Sequence, residues 1–334
     1  MKILITFDLE LFLGNKTGSV EKCFYEPTMY ILDILKKFNV SATFFVDAGY
    51  LLVLKKLKDK YVNLQKDFLL AVRTIEKIIK ANSKVELHIH PQWLKGIYKN
   101  GVWYLNNRWY RLQDFPEREI IQILSEGKKI LEEVAQEEVV AFRAGGWCIE
   151  PFEKLRRCFK SCRIFIDSSV FQGGYIKTDT YNVDFRLAPE EDIYRFSTSP
   201  LIPEKNGEFV EIQISSFSYT PLFYLKFIVL KTFQKRNFSQ FGDGYPITGS
   251  QFNKIKYFLK LHCFPVSLDL YRASVLEKAF KKRLKLGKKI FVVMGHPKRM
   301  SRYSLQRLEE FVKKYVNNYE FGHYKQFKSL NAKP

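Results

Sequence analysis

The chain has 334 residues, of which 46% are hydrophobic and 27% charged, a balance typical of a folded globular protein with a large buried core. These values exclude a disordered chain, a collagen-like repeat and a small disulfide-stapled scaffold. The 55 Lys and Arg residues exceed the 35 Asp and Glu residues by 20, so we expect the surface to attract polyanions such as nucleic acid, acidic glycan or an anionic membrane. Evenly spread, solvating lysines are the alternative interpretation of this charge, since no long basic block stands out.

The cysteines and the amino-terminal residues indicate the cellular compartment of the protein. The five cysteines are odd in number and lack CxxC spacing, which favours small buried thiols in a reducing compartment. They are Cys23, Cys148, Cys158, Cys162 and Cys263. The first residues, MKILITFDLE, form a strand-like run and lack the long apolar region and cleavage site of a signal peptide. We therefore expect a cytoplasmic protein.

The most apolar later stretch covers residues 221–234 and is followed by further basic residues up to Arg236. It is interrupted by Lys226 and Lys231 and is much shorter than the roughly 20 apolar residues that span a bilayer. We expect this stretch to lie on an anionic membrane rather than to cross it, which would make the protein peripheral at the inner membrane face.

Short apolar runs alternate with amphipathic stretches along most of the chain. The predicted strands are Ile3–Phe7, Ala42–Val46, Val85–Ile89, Val139–Phe142, Ile164–Ile166, Phe209–Ile214 and Ile290–Met294. The predicted helices are Pro27–Phe38, Phe68–Ala81, Pro116–Val134, Pro151–Phe159, Gln251–Leu261, Ser274–Leu286 and Ser304–Val316. This alternation predicts an α/β fold, with a mainly parallel sheet or barrel formed by βα units.

We expect one domain over residues 1–334, with two insertions. In the insertion 99–113, Asn106-Asn107 separates two short apolar segments, Val102–Leu105 and Arg108–Leu112, which predicts a hairpin. Its aromatic residues, which include Trp103 and Trp109, would either contact a sugar or simply pack on the body of the protein. The second insertion, residues 217–250, receives no assignment.

Polar side chains follow the first and third predicted strands. Asp8 and Glu10 end the first strand, and His88 and His90 end the third. Because side chains two residues apart on a strand point the same way, each pair can converge on one cavity. Two imidazoles and a carboxylate are enough for a three-ligand catalytic zinc site that leaves a coordination position open. The pattern therefore predicts a divalent metal, with Zn²⁺ favoured.

Three more polar residues follow later strands. Arg143 can direct two donors onto a carboxylate and so hold a general base ionised, although an ordinary salt bridge is the simpler interpretation of this residue alone. His296 can donate a proton to a leaving group, with its pKa tuned by an acid such as Asp167. Their shared position after strands favours one functional site, because α/β sheets and barrels form their sites at that face.

Taken together, these segments resemble the motifs of the polysaccharide deacetylase family, also called carbohydrate esterase family four. The resemblance rests on Thr6-Phe7-Asp8 with Glu10, Thr43-Phe44-Phe45-Val46, His88 with His90, Phe142-Arg143-Ala144-Gly145-Gly146-Trp147, Asp167-Ser168-Ser169 and His296, which follow the family's order over residues 3–300. It implies a distorted (β/α) barrel of about seven strands and hydrolysis of an N-acetyl group from an amino sugar. The polar side chains would then be catalytic.

The sequence departs from the family pattern in two places. The family's first motif has adjacent aspartates, the first a base and the second a metal ligand, whereas here Asp8 and Glu10 are two residues apart. The match makes Asp8 the base and Glu10 the ligand, with Asp8 as the alternative ligand. The family's histidines are four residues apart, whereas His88 and His90 are two apart. A changed reaction on the same fold therefore stays open.

The resemblance implies a complete set of roles. Glu10, His88 and His90 would hold the metal, Asp8 with Arg143 would take a proton, and His296 with Asp167 would return one. Trp147 and Trp93 would form apolar walls against the substrate, or belong to the core. The expected partner is an amino-sugar glycan or its lipid-linked intermediate. The alternatives are a deformylase or amidase, a family member that binds glycan without catalysis and, in another class, a basic nucleic-acid-binding protein, although we expect no nucleic acid.

Overall fold

A computed structural model describes residues 1–247 and 261–331 of the chain. The strands are β1 (Lys2–Leu9), β2 (Thr43–Asp47), β3 (Lys84–Ile89), β4 (Ile97–Lys99), β5 (Val102–Tyr104), β6 (Ala141–Ala144), β7 (Ile166–Asp167), β8 (Gly174–Lys177), β9 (Asn182–Phe185), β10 (Ile193–Phe196), β11 (Phe209–Ile212), β12 (Ser216–Tyr219), β13 (His262–Pro265), β14 (Ile290–Val293) and β15 (Glu320–Gly322). The helices are α1 (Glu26–Lys37), α2 (Ala48–Leu57), α3 (Val62–Lys80), α4 (Glu117–Ala135), α5 (Glu153–Ser161), α6 (Pro221–Phe233), α7 (Lys235–Phe238), α8 (Leu276–Lys285) and α9 (Arg302–Tyr315).

Parallel strands form the centre of the molecule, in the order β11-β7-β6-β3-β2-β1-β14. The two ends of this row meet just after β11, where the Ser215 amide donates to the Val292 carbonyl of β14 at 3.1 Å. Two strands extend the sheet outside the ring: β10 pairs antiparallel with β11, and β15 pairs parallel with β1. The fold is therefore a distorted (β/α) barrel with seven parallel strands, as the sequence predicts.

Helices cover the outside of the barrel, where apolar side chains fill the space between the two layers. Helices α2, α3 and α4 pack on one another and on β3, while α9 packs on α1. Phe7 and Phe44, on the adjacent strands β1 and β2, stack with ring centroids 5.1 Å apart. This packing fixes the strands, and so it fixes the direction of the polar side chains at their carboxyl ends.

The predicted strands of the ring are confirmed, with small shifts at their ends. Strand β6 begins at Ala141 rather than Val139, because the amides of Val140 and Ala141 donate to the buried Glu86 carboxylate at 2.7 and 2.8 Å. Helix α2 is absent from the prediction. Its start is fixed by Asp47, whose side chain accepts a hydrogen bond from the Gly49 amide at 3.1 Å, as an N-cap does.

The hairpin of the first insertion lies earlier in the chain than the sequence predicts. Strands β4 and β5 pair across Asn100-Gly101, and the predicted turn at Asn106-Asn107 is wrong. Asn100 and Gly101 have φ values of 53° and 79°, as a two-residue hairpin turn requires, and glycine adopts such a value without steric cost. Residues 107–109, by contrast, form a short 3₁₀ turn.

The second insertion forms a helical excursion from the barrel. It leaves β12, continues through α6 and α7, and the chain returns on β13, which pairs antiparallel with β12. The predicted helix Gln251–Leu261 lies outside the described residues, apart from Leu261 at its end. His262, the residue that follows this predicted helix, begins β13. None of the helices in the described part of the chain is long and apolar enough to cross a membrane.

Glu86 leads to a prediction about stability. Burial raises the pKa of this carboxyl from 4.5 to about 8, against the opposing effect of its two backbone donors. Because the folded state holds a proton that the unfolded state releases between these values, the free energy of unfolding should fall as the pH rises from 4.5 to 8. We expect Glu86→Gln to weaken this dependence, by on the order of a few kcal/mol over the window.

Denaturant unfolding at pH 5 and pH 8 measures this effect. The control is Glu76→Gln, which changes an exposed glutamate of α3 and should retain the wild-type dependence. Equal slopes with pH for the wild type and Glu86→Gln would contradict the prediction.

Candidate active site

The polar residues that follow the strands meet in one pocket at the carboxyl ends of β1, β3, β6 and β14. Its volume is about 700 Å³. Asp8, Glu10, His88, His90 and His296 all line it. The carboxyl ends of the strands therefore bring these five side chains to one cavity.

Three of them could hold a metal ion. One ligand atom each from Glu10, His88 and His90 lies within 4.8 Å of the others, and all three side chains are buried. The Nε2 atom of His88 lies 3.0 Å from Oε2 of Glu10, and His90 Nε2 contacts the same oxygen. Nitrogen and oxygen donors in this number suit a catalytic zinc site, which keeps a further position for substrate or water.

The surrounding contacts orient both imidazoles toward that centre. His88 Nδ1 lies 2.7 Å from the Arg143 carbonyl, so Nδ1 donates a proton there and Nε2 is the nitrogen that faces Glu10 and could bind a metal ion. The His90 amide donates to Asp47 at 3.0 Å. The His90 Nδ1 atom is buried and has no hydrogen-bond partner within residues 1–247 and 261–331. This donor set and its orientation fit a divalent metal.

The electrostatics of the cluster favour a positive charge at the same place. Burial alone would lower the pKa of His88, but its hydrogen bond to Glu10 and the charges of Asp8 and Glu10 outweigh burial and raise the pKa to about 9. The buried anions therefore attract a cation toward the two imidazoles, whether it is a proton or a metal ion.

Lys298 is part of the site and is absent from the sequence-based set. Its Nζ atom donates to Oε1 of Glu10 at 2.8 Å and to the Leu11 carbonyl at 2.6 Å. Burial would raise the pKa of Glu10, but Lys298, His90 and His88 together hold it well below its ordinary value. Glu10 is therefore ionised and fixed, with one oxygen bound to Lys298 and the other facing the imidazoles. The sequence signal was the position of Lys298 two residues after His296.

Asp8 and Arg143 form a separate buried ion pair beside the cluster. Arg143 donates to Oδ1 of Asp8 at 2.7 Å, and further donors reach Thr6 Oγ1 at 3.0 Å and the Ser168 carbonyl at 2.8 Å. The guanidinium lies over the Phe45 ring, 4.1 Å from its centroid. The second oxygen of Asp8 stays free of Arg143 and lies 3.9 Å from Nε2 of His296. Glu10, rather than Asp8, is therefore the carboxylate that contacts His88 and His90.

The partner of His296 differs from the predicted one. Asp269, not Asp167, accepts from His296: Nδ1 lies 2.9 Å from Oδ2, and the His296 amide donates to Oδ1 at 2.8 Å. Asp167 instead accepts hydrogen bonds from the amide and hydroxyl of Ser169. Asp269 follows the alternating run Val266-Ser267-Leu268, so a strand-end signal was present in the sequence.

This pairing predicts a shift in the pH dependence of activity. Burial alone would lower the pKa of His296, but the charge and hydrogen bond of Asp269 outweigh burial and raise it. The sequence predicts that His296 donates a proton, and a proton donor loses activity as the pH rises through its pKa. On that prediction, Asp269→Asn should move the alkaline limb of the kcat profile to lower pH. At pH 8 we expect kcat to fall by about tenfold.

The matched comparison is Asp167→Asn, because Asp167 bonds to Ser169 rather than to His296. Steady-state rates from pH 5 to pH 10 for both variants decide between the two acids. An alkaline limb that moves in Asp167→Asn but stays in place in Asp269→Asn would contradict the assignment.

The four tryptophans separate into one that lines the pocket and three that do not. Trp147 lines it. Trp93 is fully buried and donates from Nε1 to Asp47 at 2.9 Å, which makes it a core residue. Trp103 packs on Trp93 with ring centroids 5.4 Å apart, and Trp109 packs on Phe115 at 4.8 Å. The expectation of a substrate contact from these three is therefore corrected: the hairpin packs on the body of the protein.

The first insertion reaches the pocket through a tyrosine instead. Tyr110 lines the cavity and stacks on Tyr181, with ring centroids 4.5 Å apart and planes 6° from parallel. Trp147, in the turn that follows β6, adds another aromatic side chain to the pocket lining. Such faces suit the apolar side of a sugar ring.

No family model matches the chain, and no curated protein matches it. The solved structures that it resembles include proteins described as polysaccharide deacetylases or as members of carbohydrate esterase family four.

Three of these structures show how low the sequence identity and the structural similarity are. A protein from Mycobacterium smegmatis described as a candidate polysaccharide deacetylase has 17% identity and a TM-score of 0.47, over 91% of this chain and 76% of that one. A carbohydrate esterase family four pseudoenzyme from Bacillus anthracis has 13% identity and a TM-score of 0.42, over 98% and 65%. The peptidoglycan deacetylase PdaC from Bacillus subtilis has 13% identity and a TM-score of 0.40, over 98% and 90%.

Proposed function

We propose that the protein is a metal-dependent hydrolase that removes an N-acetyl group from an amino sugar. One observation supports this most: Glu10, His88 and His90 converge in a pocket that Asp8 and His296 also line. Arg143 holds Asp8 and Asp269 holds His296 from behind this lining. A three-donor metal site, a carboxylate base and a histidine acid are the groups that metal-assisted amide hydrolysis requires.

Glu10, His88 and His90 would hold the metal, for which we propose Zn²⁺. When bound, a divalent metal supplies Lewis acidity, which activates water near neutral pH and polarises a carbonyl. Asp8 accepts the proton of the attacking water on the oxygen that Arg143 leaves free. Arg143 holds that carboxylate in place through its 2.7 Å contact with the other oxygen.

His296 completes the proton transfer on the side of the leaving group. Its Nε2 atom faces Asp8 and Glu10, at 3.9 and 3.6 Å, while Nδ1 is held by Asp269. A protonated imidazole in this orientation can donate to the departing amine, which otherwise leaves poorly. Asp269 stabilises the charged form of the ring, a role it performs without touching the reacting atoms.

The proposed partner is an amino-sugar glycan, or its lipid-linked intermediate during glycan biosynthesis. Tyr110, Tyr181 and Trp147 provide aromatic faces for the sugar ring. We place the enzyme in the cytoplasm, peripheral at the inner membrane face. All five cysteines are free thiols, as is usual in a reducing compartment, and the net charge of +20 favours an anionic surface.

Product analysis tests the reaction. Metal-loaded protein is incubated with N-acetylglucosamine oligosaccharides and with N-formyl and primary-amide analogues, and acetate, formate and ammonia are measured. Acetate release that depends on added metal supports deacetylation. Formate or ammonia with no acetate would replace the proposal with a deformylase or an amidase, and no product from any substrate would leave a protein that binds glycan without hydrolysing it.

A further inference from the structure

Helix α6 stands beside the pocket and has apolar side chains on two faces. Its inner face packs on the body of the protein, where Phe223 and Phe227 stack on Tyr271 with ring centroids 5.0 and 5.7 Å apart. Phe223 also meets Tyr219 of β12 at 4.9 Å. These contacts fix the helix and determine which face points outward.

The outward face carries a continuous apolar stripe, formed by Leu222, Leu225, Val229 and Phe233. Their spacings of three, four and four residues place them on one side of a helix. Their exposed fractions are 72%, 56%, 47% and 84%. A continuous apolar stripe on the surface of an ordered helix indicates a binding surface, because exposing apolar side chains to water is unfavourable unless a partner covers them.

The charge around the stripe identifies the kind of surface it would bind. Residues 212–242 contain no Asp or Glu, and they carry four cations. The cations are Lys226, Lys231, Lys235 and Arg236, all of them exposed. An apolar helix face bordered by cations and free of acidic residues is complementary to an anionic lipid bilayer, where the apolar side chains enter the acyl boundary and the cations meet headgroups.

The same helix lines the active-site pocket. Tyr224 of α6 lines the pocket that contains Glu10 and His88. Arg272 and Arg299 line it too, and the Arg272 guanidinium lies over the Phe264 ring, 4.7 Å from its centroid. A lipid phosphate that enters this pocket from a bilayer bound to α6 would therefore meet two guanidinium groups, which suit a phosphate.

We propose that the outward face of α6 is a docking surface for an anionic membrane, and that it brings the pocket to amino sugars carried on lipid phosphates. The docking surface rests on the apolar face of α6 and on the cations of α6 and α7, whatever reaction the pocket performs. The substrate class rests on the proposed deacetylase function.

The test is co-sedimentation of the full chain with vesicles of phosphatidylcholine and phosphatidylglycerol, at low and high salt. We expect binding at low salt that weakens at high salt, little binding to pure phosphatidylcholine, and a loss of about tenfold or more in the Leu225→Gln/Phe233→Gln variant. The matched control is Val62→Gln/Leu69→Gln, which changes two apolar residues of α3 that are 68% and 61% exposed. It should bind within about twofold of the wild type.

Three results would overturn the docking surface: no vesicle binding by the wild type, an equal loss in the α3 control, or a dimer that the α6 variant dissociates, which would make a second copy the occupant. Deacetylation of a soluble oligosaccharide, measured alongside, separates this proposal from the function. The α6 variant should keep that activity and lose only turnover of vesicle-embedded, lipid-phosphate-linked substrate. Vesicle binding that depends on α6 in a protein with no deacetylase activity would reject the function and keep the docking surface.

Discussion

Replacing His88 with alanine should abolish stoichiometric binding of the divalent metal. The imidazole supplies one of three donors, and its orientation by the Arg143 carbonyl at 2.7 Å is lost with it. We expect the affinity for Zn²⁺ to fall by more than about 100-fold, with a similar loss in Glu10→Ala. Metal analysis of purified protein and calorimetric titration with Zn²⁺ measure the effect.

The control for this experiment is His323→Ala, which removes a partly buried histidine of the loop after β15 and should keep the metal. Stoichiometric metal retained in both His88→Ala and Glu10→Ala would reject the site. Metal lost in His88→Ala but retained in Glu10→Ala would make Asp8 the third ligand, and the base would then have to be another residue.

Changing Asp8 to asparagine should reduce kcat by about a thousandfold while the metal stays bound. An amide cannot accept the proton of the attacking water, yet it has nearly the shape of the carboxylate. Because Arg143 loses its ionic partner, the variant should also be less stable, by about 3–5 kcal/mol at most, although Thr6 and Ser168 still accept hydrogen bonds from the guanidinium.

Rates of acetate release, measured well below the unfolding temperature of Asp8→Asn, keep the two effects apart. Asp33→Asn, an exposed aspartate of α1, should retain full activity and serves as the matched control. Activity within about tenfold of the wild type in Asp8→Asn, with metal bound, would contradict the role of Asp8 as the base.

The barrel and the centre of the site could be predicted because regular strands carry them. Side chains two apart on β1 and β3 must share a face, so Asp8 with Glu10 and His88 with His90 follow from periodicity. Asp269 and Lys298 lie at short 3₁₀ turns. The alternating run before Asp269 indicates a strand end, and Lys298 lies two residues after His296, but neither pattern identifies the partner of each side chain. Those partners depend on where the chain returns to the barrel after the second insertion.

The position of the tryptophans could not be predicted from the sequence. An indole suits both a sugar face and a protein core, and burial decides between the two. Trp93 lies in the core because its N–H finds a buried partner in Asp47, which the sequence does not reveal. A hairpin is present in this insertion, but its turn lies at Asn100-Gly101 and not at the predicted Asn106-Asn107. Asn-Gly is the stronger signal for a two-residue hairpin turn.

The pairing of charges in the pocket has a consequence for the protein before it meets any metal. Three carboxylates at the strand ends each have a cationic partner: Asp8 has Arg143, Glu10 has Lys298, and Asp269 has His296. None of these three carboxylates therefore needs a bound metal ion to offset its charge in the folded apo-protein. A metal ion that binds the imidazoles would instead displace the proton that the anions favour on His88. The metal would therefore serve the reaction rather than the fold.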